Sequence, residues 1–250
     1  MAVTQPDGYW KFDESSGNAA DSTVNGNALT NNGTSAYAAG ALNNAVELNA
    51  TTKFMDVADN AVFHPTSALS ISYWCYLNAL PGGGEWAFAS SADTAGTNRN
   101  WVLEMGVYPD GLYFITSKDG TLNAGSYDEY DSAASILPAI GAWHHYAFAY
   151  DVAGGTVTTY IDNVTKTMTR RAAQNVTALS TVASKFGIGV AYGTGRTGNW
   201  RFDEYGYWKN YKLTAAEVNT LYNGGTPPTY ASLFGSATPK SNNLLLMGVG

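Results

Sequence analysis

The sequence predicts an all-β protein, an antiparallel sandwich of the jelly-roll type with one short C-terminal helix. Three observations predict it. Many short stretches alternate large apolar and polar residues, the period-2 pattern of half-buried strands. Turn signals rich in Gly, Asn and Pro separate those stretches. Finally, Trp10-Lys11-Phe12-Asp13-Glu14 near the start is almost repeated by Trp200-Arg201-Phe202-Asp203-Glu204 near the end, which places two matching strands side by side in one sheet. The 250 residues fit one domain of this class over 1–225, followed by a tail over 226–250.

Taken in order, residues 9–14 read as the first strand. Residues 15–34 form a polar loop whose Asn25-Gly26 and Asn32-Gly33 dipeptides mark turns with positive φ. Its length makes it functional or metal-organised. Short strands follow at 46–48 and 54–57. Residues 68–77 are the clearest strand, with Ile71, Tyr73, Cys75 and Leu77 on one face and Ser72, Trp74 and Tyr76 on the other. After the turn Pro81-Gly82-Gly83-Gly84 come strands at 86–90, 101–107 and 111–117, the last two joined by Pro109-Asp110-Gly111. Residues 122–135 read as a polar loop. Strands at 143–150 and 156–161 meet at Gly154-Gly155, and another lies at 186–190. The loop 192–199 then leads into the second copy of the phrase. Thr214 is an N-cap and Glu217 its capping-box partner; Ala215, Val218, Leu221 and Tyr222 have helical spacing, and Gly224 ends the helix.

Composition narrows the function. Only 13% of residues are charged, about half the usual ~25%, while Gly (27) and Tyr (17) are abundant. This is the surface style of extracellular β-proteins and adhesins. The net charge is −7 with no Lys/Arg cluster, so the basic footprint that nucleic acid requires is missing. The lone Cys75 excludes an intrachain disulfide and reads as a small buried hydrophobe. Residues 1–8 lack the features of a signal peptide. No run of ~18 apolar residues marks a membrane span, and none is expected to insert. An extracellular style without a secretion address fits a virion component released by lysis, or a chain whose signal has been removed.

Several stretches in order carry a resemblance. They are Gly8-Tyr-Trp-Lys-Phe-Asp-Glu14, Asp21-Ser-Thr-Val-Asn-Gly-Asn27, Leu69-Ser-Ile-Ser-Tyr-Trp74, Gly141-Ala-Trp-His-His-Tyr-Ala-Phe-Ala-Tyr-Asp151 with Val157-Thr-Thr-Tyr-Ile-Asp162, and Phe202-Asp-Glu-Tyr-Gly-Tyr-Trp208 through Leu213 to Tyr222. Together they resemble the laminin-G-like (LamG) branch of the concanavalin A-like lectin/glucanase superfamily, from about Tyr9 to Gly224. The resemblance implies two packed antiparallel sheets with adjacent terminal strands. It implies binding of glycans or proteins, often with a structural Ca²⁺, and glycan hydrolysis only in some branches.

The residues define the expected sites. Hydrolysis needs two carboxylates flanking the scissile bond, and no alternate-position acidic run supplies them; Asp128-Glu129 with Asp131 comes nearest. His144 and His145 are strand neighbours facing opposite ways, so they do not chelate one metal. Ca²⁺ takes oxygen ligands from carboxylates, amides and carbonyls. The expected donors are Asp21, Asn25 and Asn27 from the first loop, with Asp203 and Glu204 brought near by pairing of the terminal strands; Asp13 and Asp203 then lie at strand ends along that seam. The alternative is that these residues only hold turns and cap strands. Glycan stacking platforms are expected in loops, at Tyr127, Asp128, Tyr130, Tyr192, Arg196 and Trp200, with Trp86, Trp101, Asn98, Arg99 and Asn100 as further candidates. Trp74, Trp143 and Trp208 are assigned to the core.

The reading that follows is a non-catalytic binding module on an extracellular or virion surface, contacting a glycan or cell-surface polysaccharide. The alternatives are a virion decoration protein that uses protein contacts, anchored by the tail with its apolar 244–247 run, and a glycoside hydrolase.

Overall fold

A computed structural model describes residues 2–80, 84–93, 98–106, 111–132, 136–173, 176–191 and 196–235. Among them the strands are β1 (Gly8–Trp10), β2 (Thr30–Asn32), β3 (Ala36–Ala39), β4 (Asn44–Leu48), β5 (Phe54–Val57), β6 (Ala68–Leu77), β7 (Trp86–Ala92), β8 (Arg99–Gly106), β9 (Gly111–Ser117), β10 (Tyr127–Ser132), β11 (Trp143–Asp151), β12 (Thr156–Ile161), β13 (Val164–Ala173), β14 (Phe186–Ile188) and β15 (Trp200–Lys209). Two helices close the chain, α1 (Ala215–Tyr222) and α2 (Tyr230–Phe234).

All pairings are antiparallel. They follow the path β2-β5-β14-β7-β8-β9-β10-β13-β12-β11-β6-β15-β4-β3, with β1 on β15. The path folds into two layers joined through the β10–β13 pair. Facing side chains fill the space between them: Tyr73 lies 5.4 Å from Phe88, and Phe114 lies 4.4 Å from Phe148, ring centre to ring centre. The outer face of the β11-β6-β15 layer is partly covered by α1. There Val218 and Leu221 pack with Trp208, Leu213 and Ala147.

The helix forms as the capping box predicts. The Thr214 side chain accepts from Glu217 N–H, and the Glu217 carboxylate accepts from Thr214 N–H. Its left-handed end falls on Asn223 and Gly224. The first part of the tail is ordered by aromatic packing: Tyr230 and Phe234 of α2 lie 5.0 and 5.7 Å from Tyr9 of β1. The apolar 244–247 run and the turns at 81–83 and 107–110 lie outside the described residues.

The terminal strands are neighbours, as the repeated phrase suggests. Gly8 pairs with Tyr207, Tyr9 with Gly206 and Trp10 with Tyr205. Trp10, Phe12, Trp200 and Phe202 are all fully buried in one core. Part of the 122–135 segment expected as loop is a strand, and a further strand forms at 164–173, which the alternation leaves unassigned. In β10 (127–132) Asp128 and Tyr130 turn inward while Tyr127, Glu129 and Asp131 are half-buried, and β10 pairs with β9 on one side and β13 on the other. Regular strand alternation breaks at Asp203 and Glu204. The β15 register shifts between Asp203 and Gly206, and Glu204 takes φ 46°, a left-handed value rare for a non-glycine residue.

Candidate functional site

The expected metal donors separate into two groups. Asp21 is already saturated. Its Oδ1 accepts from Tyr9 N–H (3.1 Å) and Thr23 N–H (2.9 Å), and its Oδ2 from Thr23 Oγ1 (2.9 Å) and Asn27 N–H (2.8 Å). The Asn25 side chain donates to the Asp7 carbonyl (2.8 Å), and Asn27 Oδ1 accepts from Asn60 (3.0 Å). These hydrogen bonds hold the first loop together, as the turn-holding alternative describes.

Asp203 and Glu204 differ. Both are buried, at 0% and 5% exposure. Asp203 Oδ2 accepts from Leu42 N–H (2.8 Å), and Glu204 Oε2 accepts from the Tyr9 hydroxyl (2.5 Å). Their other oxygens, Oδ1 and Oε1, are buried without a hydrogen-bond partner. So are Asp13 Oδ1 and Glu14 Oε2 along the same seam. Burial pushes Asp203 up to about 8, opposed by the Leu42 N–H and reinforced by the charges of Glu204 and Asp13. Burial likewise pushes Glu204 up to about 7, with Asp13 acting in the same direction. A small cavity beside them is lined by Lys11, Asp13, Leu42, Asn43, Glu204 and Tyr230, and Lys11 Nζ pairs with Asp13 Oδ2 at 3.1 Å. Among the described residues, no three His, Cys, Asp or Glu side chains form a ready metal cage. The orphaned oxygens nonetheless match the chemistry of a hard cation, which takes carboxylate and carbonyl oxygen.

The expected glycan platforms are mostly interior. Tyr130 and Trp200 are 1% and 0% exposed. Tyr130 packs 5.8 Å from Tyr150, and Trp200 stacks 5.0 Å from Phe88. Asp128, also fully buried, pairs with Arg170 and accepts from Val176 N–H (3.0 Å). These three residues cannot meet a sugar, because β10 and β15 are inner-facing there. Trp101 and Asn100 are buried as well. Tyr127 is half-buried at the start of β10. Arg196 lies between Glu85 (2.6 Å) and the buried Glu104. Tyr192 lies outside the described residues.

A different set of residues lines a cleft of ≈ 390 Å³ on the outer face of the β2-β5-β14-β7 sheet. This is within the usual range for small-ligand sites. Asp56 of β5 sits opposite Thr30 of β2 and Gly187 of β14, and Gly187 opposite Ser90 of β7. Lys185 Nζ meets Asp56 Oδ2 at 2.7 Å, and Asn32 Nδ2 donates to Asp56 Oδ1 at 3.1 Å. Asp59 Oδ1 accepts from Ser184 N–H (3.0 Å) and contacts His64 Nε2 (2.7 Å). Phe54 adds an apolar wall. Carboxylate, ammonium and amide groups beside a ring can bind hydroxyls through their donors and acceptors and a C–H face through the ring.

None of these residues was among the expected platforms. They come from separate segments, and sequence spacing does not join them. One signal was available: Asp56 interrupts the apolar run Phe54-Met55-Asp56-Val57, a charged residue placed in a strand.

A family model described as the concanavalin A-like lectin/glucanases superfamily matches residues 49–219. No curated protein matches the chain in sequence. Among solved structures, the binding domain of botulinum neurotoxin serotype G superposes with a TM-score of 0.65 at 15% identity, covering 87% of this chain and 50% of that one. Domain 4 of AbnA, an extracellular GH43 arabinanase from Geobacillus stearothermophilus in complex with arabinotriose, gives a TM-score of 0.63 at 22% identity, covering 88% of this chain and 98% of that one. The chain therefore spans about half the neurotoxin domain and nearly all of the arabinanase domain. At these identities the likeness is one of fold.

Proposed function

We propose that this chain, which belongs to the concanavalin A-like lectin/glucanases superfamily, is a non-catalytic module that binds a glycan in the cleft beside Phe54 and Asp56. The observation that carries this reading is the convergence of Asp56, Lys185, Asn32 and Asp59 on one cavity with an aromatic wall. The arabinotriose-bound domain of similar fold supports a sugar ligand for this architecture. A non-catalytic role is supported by the acids nearest to a hydrolase pattern: Asp128 is spent inside the fold on Arg170, while Glu129 and Asp131 face Arg171. A glycan array followed by calorimetry with arabinotriose tests the reading. Asp56→Asn is expected to weaken binding at least tenfold while the fold stays intact. A clean negative array overturns glycan binding, and release of reducing sugar from a polysaccharide panel overturns the non-catalytic part.

The weakly charged, Tyr- and Gly-rich composition supports an adhesive or structural placement on an extracellular or virion surface, where the apolar 244–247 run supplies a protein contact. Recovery of the chain from purified particles tests that placement. We also propose that Asp13, Asp203 and Glu204, with Glu14 beside them, hold a Ca²⁺ that ties the terminal strands together. The support is the set of buried carboxylate oxygens without partners. The ion's part is structural, adding to the positive charge that Lys11, paired with Asp13, brings to these carboxylates.

A further inference from the structure

The layer opposite the cleft also presents a built surface. On its outer face four residues of adjacent strands lie in one cross-strand row. Trp143 of β11 is opposite Tyr76 of β6, Tyr76 is opposite Arg201 of β15, and Arg201 is opposite Glu47 of β4. The two rings meet edge to face at 5.6 Å. The Arg201 guanidinium sits 5.0 Å from the centre of the Tyr76 ring, and its Nε donates to Glu47 Oε1 at 3.1 Å. The row continues through Asn49, which donates to Glu47 Oε2 (3.1 Å), to Lys53, which donates to Asn49 Oδ1 (2.9 Å).

Helix α1 does not cover this row. It ends over the neighbouring row, where Tyr222 stacks 6.1 Å from Trp74 and His145 meets Ser72. Trp74 is thus 3% exposed, whereas Trp143 and Tyr76 are half-buried, and the Arg201 and Glu47 side chains are 27% and 22% exposed. Trp143, assigned to the core on sequence grounds, is the tryptophan that the structure brings out of it beside Tyr76. Ile140 (51% exposed) lies three residues before it in the chain. Among the described residues Arg201 Nη2 has no partner.

The chemistry selects the ligand. A purely apolar partner would leave the Arg201–Glu47 pair desolvated without new partners, which is costly. An anionic partner meets Glu47, and the net charge of −7 opposes it further. A neutral polyhydroxylated chain satisfies both halves of the row. Its C–H faces stack on the rings, and its hydroxyls donate to Glu47 and accept from Arg201. The side chains already fix one another, so little rotamer freedom remains to be lost on binding. Neighbouring strands lie about 4.8 Å apart, so the four positions span roughly 14 Å, room for a short oligosaccharide rather than a single sugar.

We propose that Trp143, Tyr76, Arg201 and Glu47 form a second carbohydrate-binding surface, specific for a short neutral oligosaccharide, on the sheet opposite the cleft. With two sites on opposite faces, one module can bridge two glycan chains and gain avidity from both.

The test uses the whole chain and three probes: arabinotriose, xylotriose and cellotriose. Calorimetry of the native chain is expected to give two sites for at least one probe, or one site that survives Asp56→Asn. In the Asp56→Asn background, Trp143→Ala and Arg201→Met are each expected to lower the remaining affinity at least tenfold, and Trp143→Phe to retain most of it. The ligand-induced change in tryptophan emission should vanish in Trp143→Phe while binding persists. Arg201→Met keeps the test decisive if Trp143→Ala folds poorly. Binding that Asp56→Asn abolishes completely overturns this surface and leaves the cleft standing. Binding that Asp56→Asn leaves untouched and Trp143→Ala removes upholds this surface and sinks the cleft. No response to any of the three probes overturns it, as does a dimer in sedimentation that Trp143→Ala dissociates, which would make the row a protein interface.

Discussion

Two pairs of carboxylates are buried to the same degree and compensated unequally. Asp128 and Glu104, at 0% and 1% exposure, are each met by an arginine, Arg170 and Arg196. Asp203 and Glu204, at 0% and 5%, have a backbone N–H and a tyrosine hydroxyl, with Lys11, which pairs with Asp13, as the neighbouring cation rather than a directly bonded arginine. Of the first pair, Asp128 is compensated by the chain itself, whereas Glu104 keeps a buried Oε1 without a hydrogen-bond partner and is pushed up to about 7 by burial despite its arginine. The second keeps orphaned oxygens and pKa values pushed up to about 8 and about 7. Equal burial thus meets three degrees of compensation, complete at Asp128, partial at Glu104 and weakest at the seam, where the proposed cation would act.

The largest effect should come from removing internal compensation. Arg170→Met removes the guanidinium that pairs with Asp128 Oδ2, an oxygen that also accepts from Val176 N–H. Breaking a buried pair on one side costs about 3–5 kcal/mol. In a chain of this size that lowers Tm by roughly 10 °C. A loss below about 3 °C would mean that Asp128 is held mainly by backbone, and the contrast with the seam would shrink.

The seam should respond to conditions instead. A carboxyl whose folded pKa lies above its unfolded value binds its proton more tightly in the native state. Stability is therefore highest below the unfolded pKa and falls as pH rises toward the folded one. For Asp203 and Glu204 the window runs from about pH 4 to about pH 8. Glu104, pushed up to about 7 by burial, adds to the same slope. In EDTA, Tm should fall across this window. Ca²⁺ should raise Tm by about 5 °C at pH 8 and by little at pH 5, where protons already occupy the site. Identical melting curves with Ca²⁺ and EDTA at pH 8 would remove the cation from the seam.

Asp203→Asn separates the two sources of charge. It deletes one carboxylate but keeps an oxygen for Leu42 N–H. In EDTA at pH 8 the variant should melt about 3 °C above the native chain, since a buried charge has gone. It should also lose the response to Ca²⁺. Stabilisation without that loss would show that the cation, if bound, does not use Asp203.

What the sequence disclosed divides along similar lines. The sandwich, the adjacency of the terminal strands and the capping box at Thr214 were legible, because alternation and capping are local patterns. β10 was not, since Asp128 occupies an inward position normally held by an apolar residue, and partners far along the chain, Arg170 and the Val176 N–H, make that tolerable. The seam was half legible. Asp203 and Glu204 were picked out, but Asp21 was not separable from them until its four hydrogen bonds were seen. The meeting of Asp203 and Glu204 depends on the positive φ at Glu204, a conformation that no residue type announces except glycine. The cleft was illegible for another reason. Asn32, Asp56, Ser90, Ser184 and Lys185 come together only through the order β2-β5-β14-β7, which is a property of topology rather than of spacing.

The smallest effect sharpens the comparison within the compensated pair. Arg196 bridges two acids, Glu85 at 2.6 Å and Glu104 beside it, while Arg170 faces Asp128. Glu104→Gln removes a carboxylate whose pKa is already about 7, so the native side chain is partly protonated at neutral pH. Arg196 keeps Glu85, whose side chain is 45% exposed and hydrated, so no buried charge is stranded. The glutamine can still accept from the guanidinium. The expected change in Tm is within about 3 °C at pH 7, and it should turn toward stabilisation as pH rises and the native Glu104 ionises. A loss as large as that from Arg170→Met would show that Glu104 is fully ionised and indispensable to Arg196. The two arginine-paired acids would then be equivalent, and the seam alone would stand apart.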